Sequence, residues 1–153
     1  TVLGALTAAP NSALVVGTIP VFVWVLGLLV GVTTATILLT SHFHQVEGDK
    51  AAGKQSPLVR LGVVRGLALL KLLVTGVYAV AVLAACTGLL PPVAVMATLL
   101  SVPVAKVMLD FAQTNHLVPA QIMPLKKFAC GWHIAFGCSL SLGLMGARLM
   151  LKA

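Results

Sequence analysis

Residues 41–62, SHFHQVEGDKAAGKQSPLVRLG, form the one dense polar stretch of a chain that is otherwise oily. If the preceding apolar helix continues to about Asp49, then His42, Gln45 and Asp49 share one face. Spacing of i, i+3, i+7 keeps them within about 60° of one another at 100° per residue. His44 and Glu47 form a second pair on another side of that helix. Lys50, Lys54 and Arg60 follow at once. Carboxylate and amide oxygens beside basic side chains suit a Mg²⁺ ion carrying a phosphate group. Mg²⁺ takes oxygen ligands and commonly shares one or two carboxylates with substrate phosphates, while Lys and Arg balance the remaining charge. The plainer alternative is a solvated helix end followed by basic anchors at the membrane surface.

The elements that must position this cluster are membrane helices. The 153 residues are 59% hydrophobic and 8% charged, with a mean hydropathy of +1.09. Soluble domains carry about 25% charged residues, so this chain has too little polar side chain to cover a water-facing surface. Four apolar segments are long enough to span about 30 Å of hydrocarbon, which takes roughly 20 helical residues. They run from about Ile19 to Thr40, Leu67 to Thr87, Pro91 to Phe111 and Phe128 to Leu149. Helices are expected because a spanning segment must satisfy its own backbone hydrogen bonds. A transmembrane barrel needs short alternating strands, and LGLLVGVTTATILL does not alternate. The fold class is therefore an all-α, polytopic transmembrane bundle of about four spanning helices, read as a single domain over 1–153 with the polar motif and basic loop at 41–66. Residues 1–9 are apolar but too short to span, and suit the tail of an earlier helix.

Loop charge orients the bundle. The loop after the first helix holds Lys50, Lys54, Arg60, Arg65 and Lys71, and that between the third and fourth holds Lys126 and Lys127, with Lys106 before it. The loop between the second and third is uncharged. The two basic loops belong on one side, the cytoplasmic or stromal one. Arg148 and Lys152 fall on the other, against the trend. The net charge of +7 is thus a membrane-topology signal. Nucleic acid is not an expected partner, because no basic stripe is interleaved with aromatics.

Several residues carry alternatives. GDKAAGK at 48–54 matches GxxxxGK, but Gln55 stands where a P-loop needs Ser or Thr, and no strand precedes it. Cys86, Cys130 and Cys138 show no CxxC spacing and read as small buried packing residues rather than disulfides or zinc ligands. Pro91 and Pro92 suit a first helical turn, and Pro103 predicts a kink. Gly27 and Gly31, with Gly143 to Gly146, permit close helix packing. Asp110 follows Lys106 by one turn and is expected to pair with it. Asn115 and His116 lie in the next loop. His133 and Trp132 read as an interfacial pair near the start of the last helix, with Trp24 as anchor at the opposite end of the first. A membrane histidine is also a candidate chlorophyll ligand. The five methionines read as packing. The chain begins at Thr1 with no recognisable signal peptide, as if processed or cut from a longer protein.

The wording SHFHQVEGDKAAGKQSPLVRLG resembles the second aspartate-rich motif of the UbiA-type intramembrane prenyltransferases. It is most similar to the branch that phytylates 1,4-dihydroxy-2-naphthoate in plants, algae and cyanobacteria on the way to phylloquinone. Asn115-His116 and FACGWHIAFGCSLSLGLMGARL extend the likeness over most of the chain. The resemblance implies a bundle of about nine transmembrane helices around a lipid-open cavity, of which this chain holds roughly the last four. It implies a reaction in which Mg²⁺ bound by two acidic motifs activates a prenyl diphosphate for attack by an aromatic ring, here with loss of the ring carboxylate.

On that resemblance Asp49 matches the last aspartate of the second motif, and Gln45 stands where most of the superfamily has aspartate and the naphthoate branch has glutamine. Glu47 supplies further charge near the metal. Lys54 and Arg60 match diphosphate contacts. His42 and His44 replace the usual Asn and Arg, and either position the acceptor or bond the helix end. Asp110 and Asn115 would face the cavity and hold the acceptor. The first acidic motif is absent, and Asp110 is the only other acid. These residues alone are therefore not expected to catalyse. Two functions remain open: the C-terminal portion of a membrane phytyl or prenyl transferase, or a catalytically incomplete, half-sized subunit of a photosynthetic complex that binds pigment, quinone or lipid. Its partners would be membrane lipid, the missing N-terminal helices or neighbouring chains, and the diphosphate and naphthoate substrates. Its place would be a chloroplast membrane, thylakoid or inner envelope, or a cyanobacterial membrane.

Overall fold

The computed structural model describes residues 20–150. Four long apolar helical segments stand side by side, each long enough to cross a bilayer. Helix α1 is Val21–Ser41, followed by two short helices, α2 (Val46–Ala51) and α3 (Pro57–Leu61). Helix α4 is Val63–Cys86. The third span is α5 (Pro92–Thr98), a 3₁₀ turn (Leu99–Ser101) and α6 (Val102–Asn115). After the short α7 (Pro119–Ile122), helix α8 (Leu125–Met150) closes the bundle. The expected boundaries hold to within a few residues, and the third span runs four residues beyond Phe111.

Successive spans are antiparallel, so segments 42–62 and 116–124 lie at the same end. Lys71 Nζ donates to Gln113 Oε1 across α4 and α6 (2.8 Å), tying those ends together. This is the arrangement expected from loop charge. Gly88 reverses the chain at the opposite end. Its φ of +74° suits a residue without Cβ, and Leu89 N–H returns to Ala84 O (2.8 Å). Pro92 then opens α5, where a missing N–H is no loss.

Helix α8 is the hub of the bundle, packing on α1, α5 and α6. Its buried stripe, Ala129, Trp132, Phe136, Leu140, Gly143 and Ala147, repeats at helical spacing. Gly143 is where α8 and α5 touch: a Cβ there would lie 2.5 Å from Ala94 Cα. Gly27 and Gly31 differ, because nothing lies within 4 Å of a Cβ at either. Their expected role in close packing is not met among the described residues. The outward faces carry Trp24, Leu28, Leu38, Leu72, Leu83, Ile134 and Leu142, apolar side chains suited to lipid.

Trp132 corrects the sequence reading most sharply. It is no interfacial anchor but fully buried (0% exposed). Its Nε1–H donates to Tyr78 Oη (3.0 Å), and Tyr78 Oη lies 2.6 Å from Ser101 Oγ. Ser101 Oγ donates to Thr98 O (2.7 Å), so the proton between Tyr78 and Ser101 belongs to Tyr78. Pro103 explains why the chain of bonds ends there. Lacking N–H, it leaves Leu99 O to Val102 N–H in a 3₁₀ bond. Thr98 O, the α-helical partner of Val102, receives the Ser101 hydroxyl instead. The break thus falls one turn before Pro103, which sits at the second position of α6.

Other expectations also change. Cys86 and Cys138 are exposed and Cys130 half-buried, so two of the three do not pack in the core. Met108 is buried, whereas Met96, Met123, Met145 and Met150 face outward. Trp24 is 66% exposed near the start of α1, as expected for an anchor. The suggested earlier helix at residues 1–9 and Lys152 lie outside the described residues.

Candidate functional site

Helix α1 does not continue to Asp49. It ends at Ser41, residues 42–45 turn, and α2 restarts at Val46. The shared helical face of His42, Gln45 and Asp49 therefore does not form. The turn nevertheless brings two of the three together: His42 Nδ1 lies 3.2 Å from Asp49 Oδ2. No other basic side chain lies within 4.0 Å of a carboxylate among the described residues. Gln45 and Glu47 are exposed, and His44 does not pair with Glu47.

Asp49 is buried (7% exposed) although α2 is a short helix between the spans. Two packing contacts hold its surroundings. Phe43 and Leu58 are buried core residues, and Leu58 fills the space that a side chain at Gly66 of α4 would need. The 42–62 segment is thereby pinned onto the end of α4. Lys54 N–H donates to Asp49 O (2.8 Å), which folds the loop back over α2 with Gly53 at φ +69°.

The Asp49 carboxyl is held below its ordinary value of 3.8. The Ser56 hydroxyl is the leading cause, opposed by burial, with the His42 hydrogen bond and the charges of His42 and Lys54 adding to the lowering. Ser56 Oγ is buried beside this carboxylate, and its hydroxyl falls short of strict hydrogen-bond geometry. His44 Nδ1 is likewise buried without a partner. Buried polar atoms of this kind are rare in folded proteins and call for an explanation. Ser56 was not among the sequence candidates. Its signal is the Ser-Pro dipeptide that opens α3.

Lys54 and Arg60 are exposed on the same loop, on either side of Ser56. Asp110 and Lys106 are both exposed and form no ion pair, contrary to expectation. Asn115 Nδ2 donates to Phe111 O (2.9 Å) and His116 Nδ1 bonds Gln113 O (2.8 Å), so both close the end of α6. His133 lies well inside α8, because that helix begins at Leu125.

Among the described residues, no three His, Cys, Asp or Glu side chains converge as a metal site. Asp49 offers one buried carboxylate, with Oδ2 turned to His42. That is a fit for one Mg²⁺ ligand rather than a closed cage, since Mg²⁺ favours six oxygens and accepts them from phosphates and water.

Comparison with known proteins bears on this geometry. The UbiA prenyltransferase family matches over residues 1–131. The chain is 37% identical over 121 residues to the chloroplastic 2-carboxy-1,4-naphthoquinone phytyltransferase of Arabidopsis thaliana, covering 79% of this chain and 32% of that protein. It is 38% identical over 125 residues to the 2-carboxy-1,4-naphthoquinone phytyltransferase of Synechocystis sp. (strain ATCC 27184 / PCC 6803 / Kazusa), covering 80% of this chain and 39% of that one. The chain thus spans about a third of the length of these relatives. No solved structure matches it.

Proposed function

The chain belongs to the UbiA prenyltransferase family, and from that premise we propose that it supplies the second acidic motif of an intramembrane prenyl transferase. The donor is a phytyl or other prenyl diphosphate and the acceptor 1,4-dihydroxy-2-naphthoate, within quinone biosynthesis. The observation that carries the reading is Asp49, a buried carboxylate at the basic end of an apolar bundle. The relatives' names support the substrates. A chloroplast or cyanobacterial membrane is the corresponding location, thylakoid or inner envelope in the plastid.

Each residue has a role in this proposal. Asp49 would be the ligand for Mg²⁺, with His42 holding its Oδ2. Lys54 and Arg60 bind the diphosphate oxygens, Lys as a point charge and Arg as a planar fork. Ser56 Oγ and His44 Nδ1, both short of partners, gain them from the bound diphosphate or its water. Gln45 and Glu47 stand at the rim and act through water. Asp110 is placed on an outward face and Asn115 is engaged by backbone, so any contact of theirs with the acceptor waits on helices beyond this chain. When bound, Mg²⁺ neutralises the diphosphate and makes it a better leaving group.

One acidic motif leaves much of that charge uncompensated, so residues 1–153 alone are expected to show no transfer. The same observation favours a second reading, a catalytically incomplete subunit of a photosynthetic membrane assembly that holds pigment, quinone or lipid. The test is Asp49→Asn in the longest mature form of the protein. Transfer to dihydroxynaphthoate should fall at least about 100-fold, as when a group that stabilises transition-state charge is lost, with the protein still in the membrane. Near-normal transfer by the well-expressed variant removes the metal role. Absence of transfer from the unsubstituted mature protein favours the subunit.

A further inference from the structure

Helices α1 and α4 leave a cleft of ≈ 220 Å³ between them on the outside of the bundle. Leu28, Leu29 and Val32 line it from α1, and Leu72, Gly76 and Val80 from α4. Leu29 is buried, whereas Leu28 and Leu72 are more than half exposed, so the cleft has a closed floor and open rims. Gly76 makes the recess. Nothing lies within 4 Å of a Cβ placed there. The lining is wholly apolar.

Arg65, Leu69, Leu72, Gly76 and Val80 follow one another at helical spacing on one face of α4. From Arg65 to Gly76 the helix rises about 16 Å, at 1.5 Å per residue. Half of a hydrocarbon core is about 15 Å. Arg65 is exposed and makes no ion pair among the described residues. It stands at the end of the bundle that carries the basic loops. The face therefore runs from a cation at the membrane surface to an apolar recess near the middle of the bilayer.

We propose that this face binds one anionic phospholipid of the basic-side leaflet, with its phosphate on Arg65 and the inner part of one acyl chain in the α1–α4 cleft. The chemistry selects this occupant. A wholly apolar lining gives no hydrogen bond to a ring carbonyl or hydroxyl, but takes a single file of methylenes. A helix is about 10–12 Å across and would cap the cleft without filling it. A guanidinium meets phosphate oxygens as a planar fork. A headgroup with net negative charge keeps that pairing, whereas choline brings its own cation alongside. The prenyl donor is drawn elsewhere, because the proposed reaction places its diphosphate at Asp49, Lys54 and Arg60. The lipid site goes beyond that reading and does not depend on it.

The test is photolabelling of the longest mature form of the protein in phosphatidylcholine nanodiscs. These contain a minor fraction of phosphatidylglycerol with a diazirine near the end of one acyl chain. Label should fall on 28–32 and 72–80 more than on the outward face of α8 at Ile134 and Leu142. The same diazirine on phosphatidylcholine should label those segments about fivefold less, the preference that one Arg at a membrane surface confers. Arg65→Gln should abolish that preference, while Lys126→Gln, at the same end of the bundle, should keep most of it. Gly76→Leu fills the cleft and should cut the label with the charge unchanged. Circular dichroism checks the folding of each variant. Equal labelling by the two lipids, even labelling over α1, α4 and α8, or a loss in Lys126→Gln as large as in Arg65→Gln overturns the proposal. Removal of the label by geranylgeranyl diphosphate in EDTA also overturns it and makes the cleft the donor's. Absence of any label there overturns it as well and means that another helix covers the cleft.

Discussion

Two polar constellations sit in this molecule, one deep in the bundle and one at its basic end, and they are finished to different degrees. The deep one runs Trp132, Tyr78, Ser101, Thr98. Each donor along it has an acceptor, and it terminates on a backbone carbonyl that the Pro103 break made available. The end cluster of His42, Asp49, Ser56 and His44 has one formed side-chain contact and two buried atoms without partners. Satisfied networks rigidify a core, whereas buried atoms left unpaired carry a desolvation penalty. The closed chain is architecture. The open cluster is where the reading proposed above places the diphosphate and its ion.

Breaking the closed chain at its middle should do the most harm to stability. Tyr78→Phe leaves Trp132 Nε1–H buried with no acceptor and removes the donor to Ser101. An orphaned buried donor costs about 1–3 kcal/mol, to be read as lower resistance to thermal or denaturant unfolding in detergent. Trp132→Phe should cost less through hydrogen bonding, because Tyr78 still donates to Ser101, although lost ring packing adds to it. If Tyr78→Phe unfolds like the parent protein, the deep network is not a structural element.

The open cluster should respond the other way. Ser56→Ala removes the hydroxyl that chiefly holds the Asp49 carboxyl below its ordinary value, so stability should fall slightly at neutral pH, far less than in Tyr78→Phe, and the difference from the parent should close in acid. Prenyl transfer by the longest mature form should drop about tenfold if the hydroxyl completes its bonding on the bound diphosphate. A large stability loss with transfer intact would reverse the comparison and make Ser56 structural.

The smallest effect expected is on acid stability. Asp49 has a folded value lowered below 3.8, first by Ser56. A lowered carboxylate contributes stability that is complete above its unfolded value and declines as pH falls through the folded one. The parent should therefore lose stability below about pH 4 more steeply than Asp49→Asn, and the two should run parallel at neutral pH. Parallel curves through the acid range would remove Asp49 from the acid response.

How much of this was readable in advance depends on the distance over which each feature is decided. The four spans and the shared side of the two basic loops follow from composition and loop charge, because hydrocarbon thickness and the positive-inside bias act on each segment separately. The family was legible in residues 41–62, since a short motif of special residue types survives without reference to the rest of the fold. Asp49 stood out as a candidate for the same reason. Ser56 was not, because nothing local shows that packing of Phe43 and Leu58 against Gly66 will bury it. Trp132 was misassigned because tryptophan favours both the interface and the core, and only Tyr78 arriving from α4 gives its N–H a buried partner. Cys86 and Cys138 were misassigned because which side of an apolar helix faces lipid is set by neighbouring helices when both sides are apolar. The pairing of His42 with Asp49 needed a break in α1 that its apolar pattern does not announce. The contact of His133 Nδ1 needed Thr33 from a helix a hundred residues away. Segment-wise solvation by water and lipid was written in the chain itself. Which polar atoms end with partners and which without is a property of three-dimensional packing, and it was decided only when the helices met.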